Sequence, residues 1–147
     1  MRIINFYAEN IKRLIAVEIT RDSNVIKITG KNGAGKTSIL DSIWWALGGT
    51  KAIQKNPIRD GEDSGLIKLD LGEIIVTRTF KRGKDGAATT SLLVTNQDGV
   101  KFSSPQSVID KLLGDLTFDP LAFGRMDSKK QFETLRKFVP NIDFEAI

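Results

Sequence analysis

The sequence of 147 residues contains no cysteine and no histidine. These absences exclude disulfide bonds, thiolate or imidazole metal sites, and catalysis by Cys–His or Ser–His–Asp groups. A metal ion would therefore be held by oxygen ligands, which suits Mg²⁺. No apolar run approaches the length that spans a membrane, and the N-terminus has no signal-peptide pattern. We expect a cytoplasmic protein without a membrane partner.

A strong excess of one charge is also lacking, because 22 basic residues stand against 18 acidic ones. The composition alone therefore does not identify a nucleic-acid-binding protein. The length allows one domain with a real hydrophobic core. We expect residues 1–147 to form a single lobe.

A glycine-punctuated segment, GKNGAGKTS at residues 30–38, lies between a β-branched run and an amphipathic stretch. Its spacing fits the phosphate-binding P-loop, G-x-x-x-x-G-K-[ST]. Such a loop turns its N–H groups toward phosphates, in backbone conformations that glycine allows, and the next helix points its positive end at them. Lys36 would place a charge at the β- and γ-phosphates, and Thr37 would offer a hydroxyl to Mg²⁺. The competing interpretation is a glycine-rich loop with a solvated lysine.

Hydrophobic periodicity predicts an α/β chain. In the helix that follows the loop, one apolar stripe is predicted from Ile39, Leu40, Ile43, Trp44 and Leu47. Ser128 and Gln131 match a capping box at the start of the last helix, whose stripe is Phe132, Leu135 and Val139 and which Pro140 ends. The predicted strands cover residues 2–9, 15–20, 25–29, 65–71, 73–80, 91–95 and 100–102, and the predicted helices cover 37–47, 104–113 and a last segment from 128.

The groups that hydrolyse a nucleotide are harder to find than those that bind it. A P-loop ATPase also uses a hydrophobic strand that ends in Asp, usually followed by Glu, to hold Mg²⁺ and activate water. No such run is present in the sequence. The sequence thus predicts the phosphate-binding half of an active site without the hydrolytic half.

Three segments carry a resemblance to a known family: INFYAENIKRLIAVEI, VIKITGKNGAGKTSILDSIWWAL and NPIRDGEDSGLIKLDLGEIIVTRTF. They resemble the N-terminal lobe of SbcC-type DNA repair ATPases, in the branch of ABC ATPases that also holds SMC and RecF proteins. The resemblance covers most of residues 1–82. It implies an α/β, ABC-ATPase-like P-loop NTPase lobe, with a mixed sheet that has an antiparallel β portion and flanking helices.

The resemblance also implies the ligand contacts of an ATP·Mg²⁺ site. Lys12 stands where the family usually has arginine and would reach toward the phosphates from the first strand. The family's Q-loop glutamine has no counterpart; Asp119 is the nearest substitute as a second Mg²⁺ ligand beside Thr37, although a turn at Asp119-Pro120 is an equal alternative. The residues expected around the phosphates are Gly30, Asn32, Gly33, Ala34, Gly35, Lys36, Thr37 and Ser38.

In the family, N- and C-terminal lobes separated by a long coiled coil form one head, and two heads enclose ATP. The resemblance therefore implies DNA, an SbcD-type nuclease and a second head as partners, with hydrolysis only after a C-terminal lobe completes the site. A second hypothesis is a non-catalytic module that binds ATP to pair with, or inhibit, a full-length relative. A third is an unrelated P-loop enzyme such as a kinase, although no lid or acceptor site is recognisable.

Four basic residues lie close together near the end of a predicted strand: Arg78, Lys81, Arg82 and Lys84. Such a cluster at a hairpin tip suits contact with a DNA backbone. A solvated hairpin is the alternative and the more common role of such a cluster.

Overall fold

The computed structural model describes residues 2–21, 27–31, 33–114 and 127–136. The chain divides after Asp110 into two compact units, residues 1–110 and residues 111–147. Asn32, Asp119, Val139 and Pro140 lie outside the described residues, as does much of the segment predicted as a strand over 25–29. The prediction of a single lobe over residues 1–147 stays a prediction.

The first unit is built on a five-stranded sheet of order β2-β1-β3-β4-β5, in which each described strand pair is antiparallel. The α/β fold class and the antiparallel β portion are thereby confirmed. No parallel pair occurs among the described strands, so the mixed sheet stays a prediction. The strands are β1 (Asn5–Ile11), β2 (Leu14–Thr20), β3 (Ser64–Asp70), β4 (Ile74–Arg82) and β5 (Ala88–Asn96). The helices are α1 (Lys36–Leu47), a 3₁₀ helix (Thr50–Ala52), α2 (Pro105–Gly114) and α3 (Ser128–Arg136). Among the described helices, none is long and apolar enough to cross a membrane.

The core lies on one face of the sheet, as the alternation of side chains along a strand requires. In β4, the buried positions are Ile74, Val76, Arg78 and Phe80, and the residues between them are half-buried. The same face of the neighbouring strands contributes apolar side chains, among them Phe6, Ala8, Ile67 and Leu69. Three of the four inward positions of β4 are thus apolar, and the fourth is a buried arginine.

Helix α1 packs on the sheet with a face that the sequence pattern did not predict. Trp45 is 2% exposed and meets the ring of Phe80 edge-on, with centroids 6.4 Å apart and planes at 63°. Trp44 and Leu40, which belong to the predicted stripe, are 57% and 58% exposed. The stripe prediction was therefore wrong for these two residues, because the sheet receives the adjacent face of the helix.

Two small polar residues allow this unexpected packing. Ser38 and Ser42 are buried one turn apart on the same side of α1 as Trp45. The hydroxyl of Ser42 donates to the carbonyl oxygen of Ser38 at 2.6 Å, so its polar atom is satisfied within the helix. A hydrophobicity pattern treats serine as a surface residue, and it therefore misses a face on which serine provides close approach.

The segment before the P-loop also differs from its prediction as a buried strand. Residues 27–29 have no strand assignment, and Lys27 and Thr29 are exposed. They pair with none of the described strands. A β-branched composition favours a strand only where a neighbouring segment completes its hydrogen bonds. Residues 100–102 likewise form a single bridge, between Thr95 and Lys101, instead of a strand.

The second unit contains α3, whose N-cap residue lies one position before the predicted one. The side-chain carboxylate of Asp127 accepts from the Lys130 backbone N–H at 2.9 Å, and its carbonyl accepts from Gln131 N–H at 2.9 Å. Asp127 is therefore the N-cap residue, because its carbonyl already accepts the first helical bond. Ser128 is the first helical residue, so the capping-box prediction was wrong by one position.

The adjacent tryptophans of α1 make a matched pair for a stability test. Trp45→Ala should lower the free energy of unfolding by about 3–5 kcal/mol, because it removes a buried aromatic from the core. Trp44→Ala, the control, should change it by less than about 1 kcal/mol, because its side chain is exposed. Urea denaturation followed by circular dichroism measures both. Similar losses for the two variants would contradict the described packing of α1.

Candidate functional site

The P-loop backbone has the conformation that its glycines were predicted to allow. Gly30, Gly33 and Gly35 have φ angles of 153°, 86° and 91°. A Cβ atom on Gly35 would lie 3.1 Å from Leu14 Cδ2, and one on Gly33 would lie 3.2 Å from Arg13 Nη1. The positive φ angle favours glycine at Gly33 and Gly35, and at Gly35 the close approach of Leu14 in the β1–β2 hairpin leaves little room for a side chain.

Helix α1 begins directly at the end of this loop. Gly35 is its N-cap, in the left-handed conformation, and no described side chain caps the helix. The N–H groups of the first turn, including those of Lys36, Thr37 and Ser38, have no acceptor within the helix. With the positive end of the helix dipole, they form a site that favours an anion.

These N–H groups lie beside a cavity of about 490 Å³. Its described lining is polar and basic, and it contains no carboxylate. The residues that line the cavity are Lys12, Arg13, Gly33, Gly35, Lys36, Thr37 and Ser38. The size falls in the range of small-molecule sites, and the donor set is the one that phosphates need.

The Lys36 ammonium is folded onto its own loop. It donates to the carbonyl oxygen of Gly30 and, at 2.7 Å, to that of Lys31. An ammonium has three donors on a flexible stem, so these bonds hold a positive charge within the curve of the loop. The role of Lys36 toward phosphates stays a prediction.

The tip of the β1–β2 hairpin supplies two further cations. Ile11 pairs with Leu14, so Lys12 and Arg13 form a two-residue turn, in which Lys12 has a φ of 49°. Arg13 Nη1 donates to the Gly33 carbonyl oxygen at 3.3 Å and thereby ties the hairpin to the P-loop. No role was predicted for Arg13, although its position next to Lys12 in the sequence was an available signal.

Residues 57–59 hold this hairpin tip in place through hydrogen bonds. The Lys12 N–H donates to the Pro57 carbonyl oxygen at 3.0 Å, and Arg59 Nη1 donates to the Arg13 carbonyl oxygen at 3.1 Å. Ile58, between them, forms an antiparallel bridge with Ile11 and is buried. The segment between the 3₁₀ helix and β3 thus positions the basic turn.

Lys12 makes an ion pair that the sequence did not predict. Its Nζ lies 2.6 Å from Asp41 Oδ2 on α1 and 5.5 Å from the centroid of the Trp45 ring. Both partners of the ion pair are about one-quarter exposed, at 26% and 27% of their side-chain surface. The Lys12 side chain lines the cavity from this position, and its contact with phosphates stays a prediction.

The predicted Mg²⁺ ligands are described only in part. Thr37 lies on the first turn of α1, lines the cavity and is exposed. Asp119 and the P-loop residue Asn32 lie outside the described residues. Within the described part of the chain, no three Asp or Glu side chains gather to hold a metal. The roles of Thr37 and Asp119 as Mg²⁺ ligands stay predictions.

The basic cluster near the end of β4 is smaller than its sequence suggested. Arg78 is 1% exposed and faces the core, so its inclusion in a DNA-contacting surface was wrong. The alternation along β4 explains this, because Arg78 is in phase with the buried Val76 and Phe80. Lys81, Arg82 and Lys84 are exposed.

Comparison with known families agrees with this geometry. A family model described as an AAA domain matches residues 5–142. The chain belongs to the AAA domain family. The match includes the hairpin tip, the P-loop and α1, so an AAA domain accounts for the elements that line the cavity.

Curated relatives of this AAA domain include proteins named for DNA repair. The chain is 31% identical over 109 residues to the DNA double-strand break repair Rad50 ATPase of Methanosarcina acetivorans. This alignment covers 67% of the chain and 10% of that relative. It is 33% identical over 116 residues to the Rad50 ATPase of Thermoplasma acidophilum, covering 75% of the chain and 12% of the relative. It is 33% identical over 100 residues to the DNA replication and repair protein RecF of Clostridium acetobutylicum, covering 63% of the chain and 28% of the relative.

These relatives confirm the resemblance to the SMC, RecF and SbcC branch. The chain spans about a tenth of the length of the Rad50 relatives that it matches, and just over a quarter of the RecF relative. The activity of the whole relatives therefore bears on this chain only as a proposal.

Two glycines with similar backbone angles test whether the P-loop is held in the described conformation. Gly35→Ala adds backbone strain and a contact 3.1 Å from Leu14 Cδ2, whereas Gly61→Ala, at a φ of 86°, adds strain but meets nothing within 4 Å. We expect Gly35→Ala to be about 1–3 kcal/mol more destabilising than Gly61→Ala in urea denaturation. Equal losses would indicate that the hairpin does not press on the loop.

Proposed function

We propose that this AAA domain is the ATP-binding lobe of an SbcC-like ATPase that acts in DNA repair or recombination. One observation carries the proposal. The uncapped N-terminus of α1 and three cationic side chains, those of Lys12, Arg13 and Lys36, converge on one cavity. The names of the Rad50 and RecF relatives support the assignment to DNA repair.

In this proposal the phosphates of ATP lie against the first turn of α1. The N–H groups from Gly33 to Ser38 donate to phosphate oxygens, and Lys36 exchanges its carbonyl contacts for the β- and γ-phosphates. Lys12 and Arg13 approach from the hairpin tip, and Asn32 completes the loop. Arg13 presents the forked donors that phosphate binding favours, so it is added to the predicted set.

Mg²⁺ would supply charge neutralisation between the β- and γ-phosphates when it is bound. The Thr37 hydroxyl is the proposed first protein ligand and Asp119 the second. Thr37 is well suited because it sits in the helical turn beside Lys36 and lines the cavity.

We further propose that hydrolysis requires a C-terminal lobe and the pairing of two heads. The cavity brings cations to the phosphates, but its described lining offers no carboxylate or glutamine to orient water. Leu40 and Trp44 also form an exposed apolar pair one turn apart on α1. Such a pair suits burial under another segment, and the C-terminal lobe is the proposed cover.

The lack of a water-orienting group in the described lining also favours a second candidate function. In that alternative, the chain is a non-catalytic module that binds ATP to pair with, or inhibit, a full-length relative. The two functions share the same binding site and differ in whether added residues restore turnover. DNA and an SbcD-type nuclease are proposed partners under the first function.

Nucleotide binding is tested by comparing two lysines of the same loop. Lys36→Ala should weaken binding of ATP·Mg²⁺ at least tenfold, about 1.4 kcal/mol, because it removes the charge held inside the loop. Lys31→Ala removes an exposed charge whose side chain does not line the cavity, so it should weaken binding less than about threefold. Isothermal titration calorimetry measures both affinities. Equal affinities for wild type and Lys36→Ala would refute the proposed site.

Catalysis is tested by a steady-state phosphate-release assay on the 147-residue chain. The chain alone should bind ATP without turning it over, because each water-orienting or metal-holding group that the proposal assigns to the C-terminal lobe contributes a few kcal/mol of transition-state stabilisation. Adding the C-terminal lobe in trans should restore hydrolysis with a rate that rises with protein concentration. Binding without restored turnover would favour the non-catalytic module. Robust turnover by the chain alone, abolished by Lys36→Ala, would show that the site is already complete.

Contact with DNA is tested on the exposed residues at the end of β4. Replacing Lys81 and Lys84 with alanine should reduce the salt slope of DNA binding by about two units if both neutralise phosphates. Replacing the exposed Lys68 and Lys101 serves as the charge-matched control and should leave the slope unchanged. Fluorescence anisotropy across a salt series measures the slopes. Equal slopes for wild type and the first variant would remove this hairpin from the interface.

A further inference from the structure

A second cavity lies at the opposite end of α1 from the P-loop. Its volume is about 610 Å³, and it is lined by the segment after α1, by β4 and β5, and by the start of α2. A helix of 12 residues is about 18 Å long, so this cavity is separate from the phosphate-binding loop. The lining residues belong to the first compact unit.

The floor of this cavity contains the buried Arg78. Its guanidinium donates through Nη2 to Gln106 Oε1 at 3.2 Å, while Nε has no partner among the described residues. No described carboxylate forms an ion pair with it. Burial lowers the pKa of Arg78, but a guanidinium stays protonated in proteins. Asp110 lines the same cavity but is joined to the guanidinium only through Gln106, so the buried positive charge has no directly bonded counter-charge. Such an arrangement is costly unless an anion compensates it.

A second unpartnered polar atom belongs to another residue of the lining. Thr90 lines the cavity, and its hydroxyl is buried without a hydrogen-bond partner among the described residues. Unsatisfied buried polar atoms are rare, so two of them on residues that line one cavity make this cavity a candidate ligand site.

The neighbouring side chain is already held in place. Gln106 Nε2 donates to the Leu47 carbonyl oxygen at 3.1 Å and to Asp110 Oδ1 at 2.8 Å. These bonds orient the Gln106 amide oxygen toward Nη2 of Arg78. Nε of Arg78 is left without a partner among the described residues. The N-terminus of α2, with Ser104 and Pro105, adds the positive end of a ten-residue helix.

We propose that this cavity binds the oxyanion group, carboxylate or phosphate, of a small molecule. Arg78 Nε, together with a remaining guanidinium N–H, offers the side-by-side donors that oxyanions accept, and the Thr90 hydroxyl donates a further bond. The volume is within the range for small-molecule sites. The site is independent of the nucleotide-binding proposal, because it shares no lining residue with the P-loop cavity.

Two exposed side chains set the charge at its rim. Lys51 follows α1 and adds a positive charge, whereas Asp110 on α2 opposes an anion. Lys51→Ala should therefore weaken binding about two- to fivefold, and Asp110→Asn should strengthen it by a similar factor. Both substitutions are at the surface, so they leave the core intact. Lys101→Ala, an exposed change outside the cavity, is the matched control for lost charge.

Nitrogen-15 NMR of the chain at constant ionic strength tests the site, with inorganic phosphate and acetate as separate probes. The Arg78 Nε–H and the backbone N–H groups of residues 48–51 should shift saturably, and the tighter probe identifies the preferred oxyanion. Shifts of Gly33 and Gly35 report the P-loop separately. Arg78→Met should abolish the saturable shifts of residues 48–51; if this variant does not fold, the two rim variants decide.

The outcomes separate the proposal from a nonspecific charge effect. Opposite changes in affinity for Lys51→Ala and Asp110→Asn, with Lys101→Ala like wild type, support the site. A non-saturable response at the Arg78 Nε–H with both probes overturns it. Equal effects of Lys51→Ala and Lys101→Ala also overturn it, since they would reflect net charge alone.

Discussion

The burial of Trp45 between α1 and the sheet is the contact on which the rest of this molecule depends. The ring is 2% exposed, meets Phe80 edge-on at 6.4 Å, and carries the Lys12 ammonium 5.5 Å from its centroid. This one side chain therefore sets the rotation of α1 on the sheet and connects the helix to the hairpin tip. Because the P-loop ends where α1 begins, the same contact determines where its N–H groups point.

Positive charge is placed differently at the two ends of α1. At the P-loop end, Lys12 is paired with Asp41, and the Lys36 ammonium is held by carbonyl oxygens of its own loop. At the other end, Arg78 is more deeply buried and has only a long bond to an amide oxygen. Charges held by weak or exchangeable partners are ready to accept an anion, since the anion improves on the contacts that it displaces. Both ends of α1 are therefore candidate anion sites, although only the P-loop end carries a sequence motif.

Much of the fold could be predicted from the sequence, because local patterns control it. The sheet strands follow period-two alternation, and α1 begins within one residue of its predicted start. The burial of Arg78 also follows from that alternation, in phase with Val76 and Phe80, but a charged side chain is usually assigned to the surface. The strand predicted over 25–29 could not be established from local alternation. Residues 27–29 would form a strand only with a pairing partner, and the local sequence does not specify one.

The sequence by itself determined the P-loop and the family resemblance. A turn that faces phosphates requires glycine at Gly33 and Gly35 and a charge at Lys36, so those residues leave a readable pattern. Only the tertiary structure decided that Arg13 joins the loop and that Trp45, not its neighbour Trp44, faces the sheet. Which residues meet across different elements depends on how those elements pack, and packing is settled by the whole core instead of by any one segment.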